Sequence, residues 1–253
     1  MRIFLTNDDG IEADGLKTLE KELVEAGHEL WVVAPDKERS ASSHSLTLRD
    51  PIRVSKKGKN RFAITGKPVD CVILGLEEIV GKNFDLVISG INRGQNMGED
   101  IFYSGTVAAA MEAKVFGLPS IAVSLVSYDE PNFKTGATFI RKLLEKDVHD
   151  FIDPDEILNI NVPNMNYEKI SGIKTTKPGH RQYEDFITKQ EDHLGKTIYW
   201  IGGKKAKWLI NEDSDYKAIE QGYISITPIK YEFTNNNSLN RLGNWIRDSR
   251  IFV

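Results

Sequence analysis

Apolar residues run in short blocks separated by polar corners, and the spacing inside the blocks alternates between strand-like and helix-like along the chain. Ile3 to Leu5 is an apolar run that ends in Thr6-Asn7-Asp8-Asp9-Gly10, and the next segment sets Leu16, Leu19, Leu23 and Val24 on one helical face. The pattern predicts strand, loop, helix. Gly27 stands where a helix C-terminal glycine belongs, and Leu30 to Ala34 is a second apolar run stopped by Pro35-Asp36. Further on the spacing predicts short strands within Pro51 to Thr65, a packed helix over Val69 to Val80 and a third main strand over Phe84 to Ser89. Helices are predicted over Gly105 to Phe116 and Thr138 to Leu144, and strands over Pro119 to Leu125 and Leu158 to Val162. A strand that returns in the same direction needs a crossover, usually a helix, so the alternation predicts an α/β fold with a mostly parallel sheet.

From about Asn164 the pattern changes. Charges become dense, Thr197 to Trp200 reads as a strand, and Tyr223 to Ile229 alternates as another. The run Asn235-Asn236-Asn237 is read as a turn or cap before a terminal helix carrying Leu239, Leu242 and Trp245. The reading is a core over residues 1–163 and a C-terminal extension over residues 164–253, with no internal repeat.

Composition narrows the classes. The chain has 253 residues, 40% apolar and 28% charged, which places it among folded globular proteins of one or two domains. A net charge of -4 argues against a stable nucleic-acid complex or an anionic-membrane partner and for a small-molecule ligand. One cysteine, Cys71, excludes an intramolecular disulfide framework and a thiolate-rich metal site. Two carboxylates interrupt the N-terminal apolar run before a signal-peptide core is complete, and no run reaches transmembrane length. A cytoplasmic protein is expected.

The chemistry gathers at the ends of the predicted strands, the edge where open α/β sheets bind ligands. A corner opened by Gly10 can turn Asp8 and Asp9 toward one point, where a cation relieves their repulsion; the plainer reading makes one a helix cap and leaves the other solvated. The second strand leads into a hydroxyl-rich loop from Pro35 to Ser45, and the third into Ser89 to Gly98 with its three glycines. Oxygen donors without clustered His or Cys suit Mg²⁺ or Mn²⁺. Tyr103-Ser104-Gly105-Thr106-Val107 reads as a glycine turn entering a helix, where free N–H groups bind phosphate; an ordinary Ser cap is the plainer alternative.

At these residues the chain resembles the SurE family of survival proteins, metal-dependent 5'/3'-nucleotidases. The resemblance rests on Thr6-Asn7-Asp8-Asp9-Gly10-Ile11, on Val32 to Asp36 through Arg39-Ser40, on Ser89-Gly90-Ile91-Asn92 and on Tyr103 to Val107. It continues through Leu158 to Pro163, Asp215 to Ile219 and Gly222 to Pro228, and so runs nearly end to end. The resemblance implies a Rossmann-like core with helices on both faces and one divalent cation per subunit, Mg²⁺ or Mn²⁺, held by Asp8, Asp9, Ser40 and Asn92. It implies phosphate contacts from Asn96, Ser104, Gly105 and Thr106, and a homodimer or homotetramer with exchanged C-terminal segments. Gln95 departs from the proline of many members, and nothing is carried over at Arg181-Gln182-Tyr183.

The expected reaction is hydrolysis of nucleoside 5'- and 3'-monophosphates by water, with Asp8 or Asp9 as the candidate general base. Covalent attack by Asp8 through an aspartyl-phosphate is an alternative, against which stands the lack of an aspartate two positions after Asp8. A regulatory nucleotide-binding module without turnover is another; unscreened carboxylates would repel its ligand. Zinc deacetylases need histidine ligands nearby, and none is adjacent. His44 could donate a proton or contact phosphate, but a lone histidine in a hydroxyl-rich loop is read as a structural hydrogen-bonder, and Arg39 and Arg93 as minority phosphate clamps. Tyr199, Trp200 and Trp208 among charges suggest a surface covered by another subunit.

Overall fold

The computed structural model describes residues 1–127, 129–182, 187–201, 207–209, 211–232 and 234–249. Strand β1 (Arg2–Thr6) is followed by helix α1 (Asp14–Glu25) and β2 (Glu29–Pro35). Then come the short pair β3 (Val54–Gly58) and β4 (Arg61–Ile64), helix α2 (Pro68–Leu74) and β5 (Leu86–Arg93). A 3-10 turn over Gly98–Tyr103 leads into α3 (Gly105–Val115), β6 (Ser120–Val126), α4 (Phe133–Leu144) and β7 (Glu156–Pro163).

The remaining elements are β8 (Gly172–Thr175), β9 (His180–Gln182), β10 (Ile187–Glu191), β11 (Thr197–Ile201), β12 (Lys207–Leu209), α5 (Asp215–Glu220), β13 (Tyr223–Lys230) and α6 (Asn236–Asp248). Nine strands form one sheet in the order β3-β4-β2-β1-β5-β6-β7-β13-β8. From β4 to β7 every neighbouring pair is parallel, as the helical crossovers demand. Two strands from beyond residue 163 join this sheet: β13 lies antiparallel to β7, and β8 parallel to β13. β10 pairs with β11 and β9 with β12 in two separate antiparallel pairs.

Helices cover both faces because the side chains of β1 alternate. Ile3 and Leu5 pack with Leu16, Leu19 and Leu23 of α1 and with Phe139 and Ile140 of α4. Phe4 packs on the other face with Cys71 and Val72 of α2 and Ala109 and Ala113 of α3. Chain order reverses beside β1: β2 lies on one flank and β5 on the other, so a crevice opens at the carboxyl ends of β1 and β5.

One residue and three element boundaries differ from the periodicity. Val24 is 56% exposed, because it is turned about 100° from Leu23 and off the buried stripe. The helix predicted over Val69 to Val80 is α2 continued by a π-helical turn over Gly75–Ile79. α4 starts at Phe133 rather than Thr138, since Phe133 and Ala137 also reach the core. β5 begins at Leu86 and runs on to Arg93, through an irregularity against β6 between Ser89 and Asn92. Asn235 does cap the terminal helix, its side chain accepting from Ser238 N–H. Tyr199 and Trp200 are exposed, and the side chain of Trp208 lies outside the described residues. Among the described residues no helix is long and apolar enough to cross a membrane.

Candidate active site at the β1–β5 crevice

The acidic corner is built by Asn7, which has no exposed surface. Its side-chain nitrogen donates to Gly10 O at 2.9 Å and its Oδ1 accepts from Gly10 N at 3.2 Å, closing the corner over the two acids. Gly10, at φ +104°, takes the left-handed backbone this closure requires. Asp8 is 4% exposed. Its Oδ1 accepts from the Thr106 hydroxyl, and its carbonyl accepts from Arg39 N–H at 2.8 Å. Asp9 Oδ2 accepts from Arg93 N–H at 2.9 Å. Three chain segments therefore converge on the acidic pair.

Electrostatics mark the corner as a place for positive charge. Burial, reinforced by the neighbouring charges of Asp9 and Glu38, pushes the Asp8 carboxyl up to about 7 against the hydrogen bond from Thr106. Burial also raises Asp9, with Glu38 adding to the effect and the Arg93 N–H opposing it. Two desolvated carboxylates side by side are what a bound cation would relieve. Ser40 Oγ donates to Glu38 Oε1 at 2.6 Å, which leaves its lone pairs for a cation. The Asn92 carboxamide nitrogen donates to Gly94 O at 2.9 Å, leaving Oδ1 as its free acceptor. These donors are oxygens and fit a hard divalent ion. Among the described residues no group of three or more His, Cys, Asp or Glu is arranged to hold a metal, so any ion here depends on hydroxyl and carboxamide oxygens beside the two aspartates.

The glycine turn stands against the same corner. Ser104 caps α3 by accepting from Val107 N–H at 3.0 Å, as its plainer reading expects. A side chain at Gly105 would come within 2.6 Å of Ser42 Oγ and 2.9 Å of Asp8 Cβ, so only glycine lets the helix start touch the acids. Ser42 Oγ is buried with no hydrogen-bond partner and lies at this turn. An anion bound to the α3 N-terminus would give it one. Thr106 directs its hydroxyl to Asp8, so its backbone N–H is what it can offer a phosphate. Asn96 is drawn the other way: its Nδ2 donates to Ser124 Oγ at 2.8 Å, and its backbone is bound by Asn159 and Asn161 of β7. Arg39 is tied to Asp36 and the Thr65 carbonyl.

Several groups that shape the site carry no sequence signal of that role. Asp215, fully buried at the start of α5, accepts from Gly98 N at 2.9 Å and Gly179 N at 2.8 Å, anchoring the end of the glycine loop. Glu38 acts on both aspartates. Glu112 of α3 meets His44, Nε2 to Oε2, at 2.7 Å. Beyond the turn opens a cavity of about 440 Å³ with mostly apolar walls, lined by Ile101, Phe102 and Met111 together with Ser104 and His44.

Comparison with known proteins identifies the family. The family model described as "Survival protein SurE" matches residues 3–185. A protein of Geotalea uraniireducens named 5'-nucleotidase SurE is 45% identical over 246 residues, covering 97% of this chain and 99% of that protein. One of the same name from Aeromonas hydrophila is 43% identical over 252 residues, covering 97% and 98%. The crystal structure of the SurE protein from Aquifex aeolicus superposes with a TM-score of 0.85 at 37% identity, covering 97% of this chain and 99% of that one. With the family model, the sequence and the fold in agreement over most of its length, this chain belongs to the SurE family.

Proposed function

We propose that this protein hydrolyses nucleoside 5'- and 3'-monophosphates to nucleoside and phosphate, using one divalent cation, Mg²⁺ or Mn²⁺, held by Asp8, Asp9, Ser40 and Asn92. The observation that carries the reading is Asp8: a carboxylate 4% exposed, beside a second acid, and hydrogen-bonded to the first turn of a helix whose N-terminus is suited to phosphate. The name of the relatives, 5'-nucleotidase, supports the same substrate class. A bound cation would neutralise charge on the non-bridging oxygens and make water more acidic. The chain supplies the rest. The N–H groups of Gly105 and Thr106, with Ser104, hold the phosphoryl group, and Asn96 joins them only by donating a side-chain N–H not engaged by Ser124, while Asp8 or Asp9 accepts the proton of the attacking water. The apolar cavity beyond Ser104 takes the nucleoside.

Phosphate release from a nucleoside monophosphate, measured with EDTA and then with Mg²⁺ or Mn²⁺ restored, tests this directly. Turnover is expected only with metal; release in EDTA, or none with any metal, refutes it. Asp9→Asn should lower kcat by at least about a hundredfold while leaving the circular dichroism spectrum intact, because asparagine keeps an oxygen to accept from Arg93 N–H. Binding of nucleotide without turnover would instead favour a regulatory module.

The reading extends to the assembly. Residues 1–163 form the metal- and phosphate-binding core and residues 164–253 the extension; β13 and β8 stay in the sheet of their own chain, and the terminal helix α6 is the part exchanged between subunits of a homodimer or homotetramer. The support is α6, on which no residue is buried, while Leu239, Leu242 and Trp245 are 55%, 54% and 57% exposed along one side. A cytoplasmic location is in keeping with the single, buried and reduced Cys71.

A further inference from the structure

We propose that His44, held by Glu112, is the general acid that protonates the leaving-group oxygen; the proposal rests on the phosphatase reading above. The groups assigned so far act on the phosphoryl oxygens and on the attacking water, and none delivers a proton to the alcohol that departs. An alkoxide is strongly basic, so its expulsion near neutral pH calls for a proton donor at that atom. With the phosphoryl group at the turn and the nucleoside in the cavity, the bridging oxygen lies between them. Ser104, the cap of the phosphate turn, and His44 both line that cavity.

The loop is built to hold the ring there. Ser43 N donates to Tyr103 O at 3.1 Å and Ser43 Oγ donates to Phe102 O at 2.7 Å, fastening the residue before His44 to the residues before Ser104. Glu112 lies two turns along α3 from the Ser104 cap, with its side chain 13% exposed, and meets His44 Nε2 at 2.7 Å. Acid, orienting carboxylate and phosphate turn are thus tied to one helix. With Nε2–H donating to Glu112, the acid is the imidazolium, whose second proton sits on Nδ1 and is the one left to donate. Lys230 also borders the cavity, but the hydrogen bond and charge of Asp155, 2.7 Å away, raise its pKa above the ordinary lysine value and make it a poor acid.

In the step, water forms a bond to phosphorus and gives its proton to Asp8 or Asp9. The phosphorus–oxygen ester bond breaks, and His44 Nδ1 gives its proton to the departing oxygen. Alcohol and inorganic phosphate leave, and a proton returns from the aspartate side to His44 through solvent. No oxidant or further reactant is needed.

Leaving-group dependence separates this role from a structural one. kcat/KM of the metal-loaded enzyme is measured for a nucleoside monophosphate and for p-nitrophenyl phosphate, whose aryloxide departs with little help from an acid. For His44→Gln the expected loss is about a hundredfold on the nucleotide and less than about threefold on the aryl ester. Glu112→Gln should move the ratio the same way, by about tenfold. Equal losses on both substrates, or no loss on the nucleotide, overturn the proposal. His44→Asn takes the place of any variant that fails to fold. Absence of nucleotide turnover by the unmodified enzyme refutes the phosphatase reading itself, so the two failures are distinguishable.

Discussion

Asp8 concentrates the cost of the site in one residue. Its pKa in the folded chain, about 7, lies above the ordinary 3.8, so the folded state binds this proton more tightly than the unfolded chain does. The associated stability is present below pH about 4 and is lost as pH rises to about 7, amounting to roughly 4 kcal/mol in metal-free protein. Asp8→Asn keeps an oxygen for Thr106 and cannot ionise. It should therefore be more stable than the unsubstituted, metal-free chain at pH 8, with the difference vanishing at pH 4, as measured by urea unfolding. Metal should raise the melting temperature of the unsubstituted chain at pH 8 and leave that of Asp8→Asn nearly unchanged. A variant no more stable at pH 8 than the unsubstituted chain would show that Asp8 carries no such cost. The acidic pair itself was legible in the sequence, because two carboxylates at a strand end call for a counter-charge. Its anchor was not, since Thr106 is 98 positions away and a hydroxyl in a helix start carries no sign of its partner.

At the scale of elements, the start of α3 is both a structural cap and a candidate anion site, and the two roles meet at Gly105. A methyl group there would lie 2.6 Å from Ser42 Oγ and 2.9 Å from Asp8 Cβ. Gly105→Ala should cost about 1–3 kcal/mol in thermal unfolding, and it should raise KM for the nucleotide and Ki for inorganic phosphate together by about tenfold or more. Unchanged phosphate inhibition would remove the turn from the binding site. The sequence showed this element well, because a serine cap, a glycine and an alanine-rich helix are local signals. It showed β5 less well: the glycine at position 90 reads as a strand end, whereas the chain stays extended to Arg93 through a bulge that only β6 reveals. Val24 fails for a related reason, since an apolar residue at the stripe's edge is indistinguishable by periodicity from one inside it.

At the scale of the whole molecule, α6 has no buried residue and leaves Leu239, Leu242 and Trp245 more than half exposed, and α5 reaches back to the site through Asp215. Trp245→Glu should shift the mass measured by light scattering toward monomer, because it would bury a charge in the proposed subunit contact. An unchanged mass would exclude α6 from the assembly. The sequence by itself determined the succession of strands and helices, the acidic corner, the glycine turn and the family resemblance, since each depends on residues near one another along the chain. Only the tertiary structure decided that β1 and β5 are neighbours at the reversal of strand order, and that Thr106 meets Asp8, Glu112 meets His44 and Asp215 holds Gly98. Those contacts join residues far apart in sequence, and packing of the sheet and its helices, rather than any local spacing, brings them together.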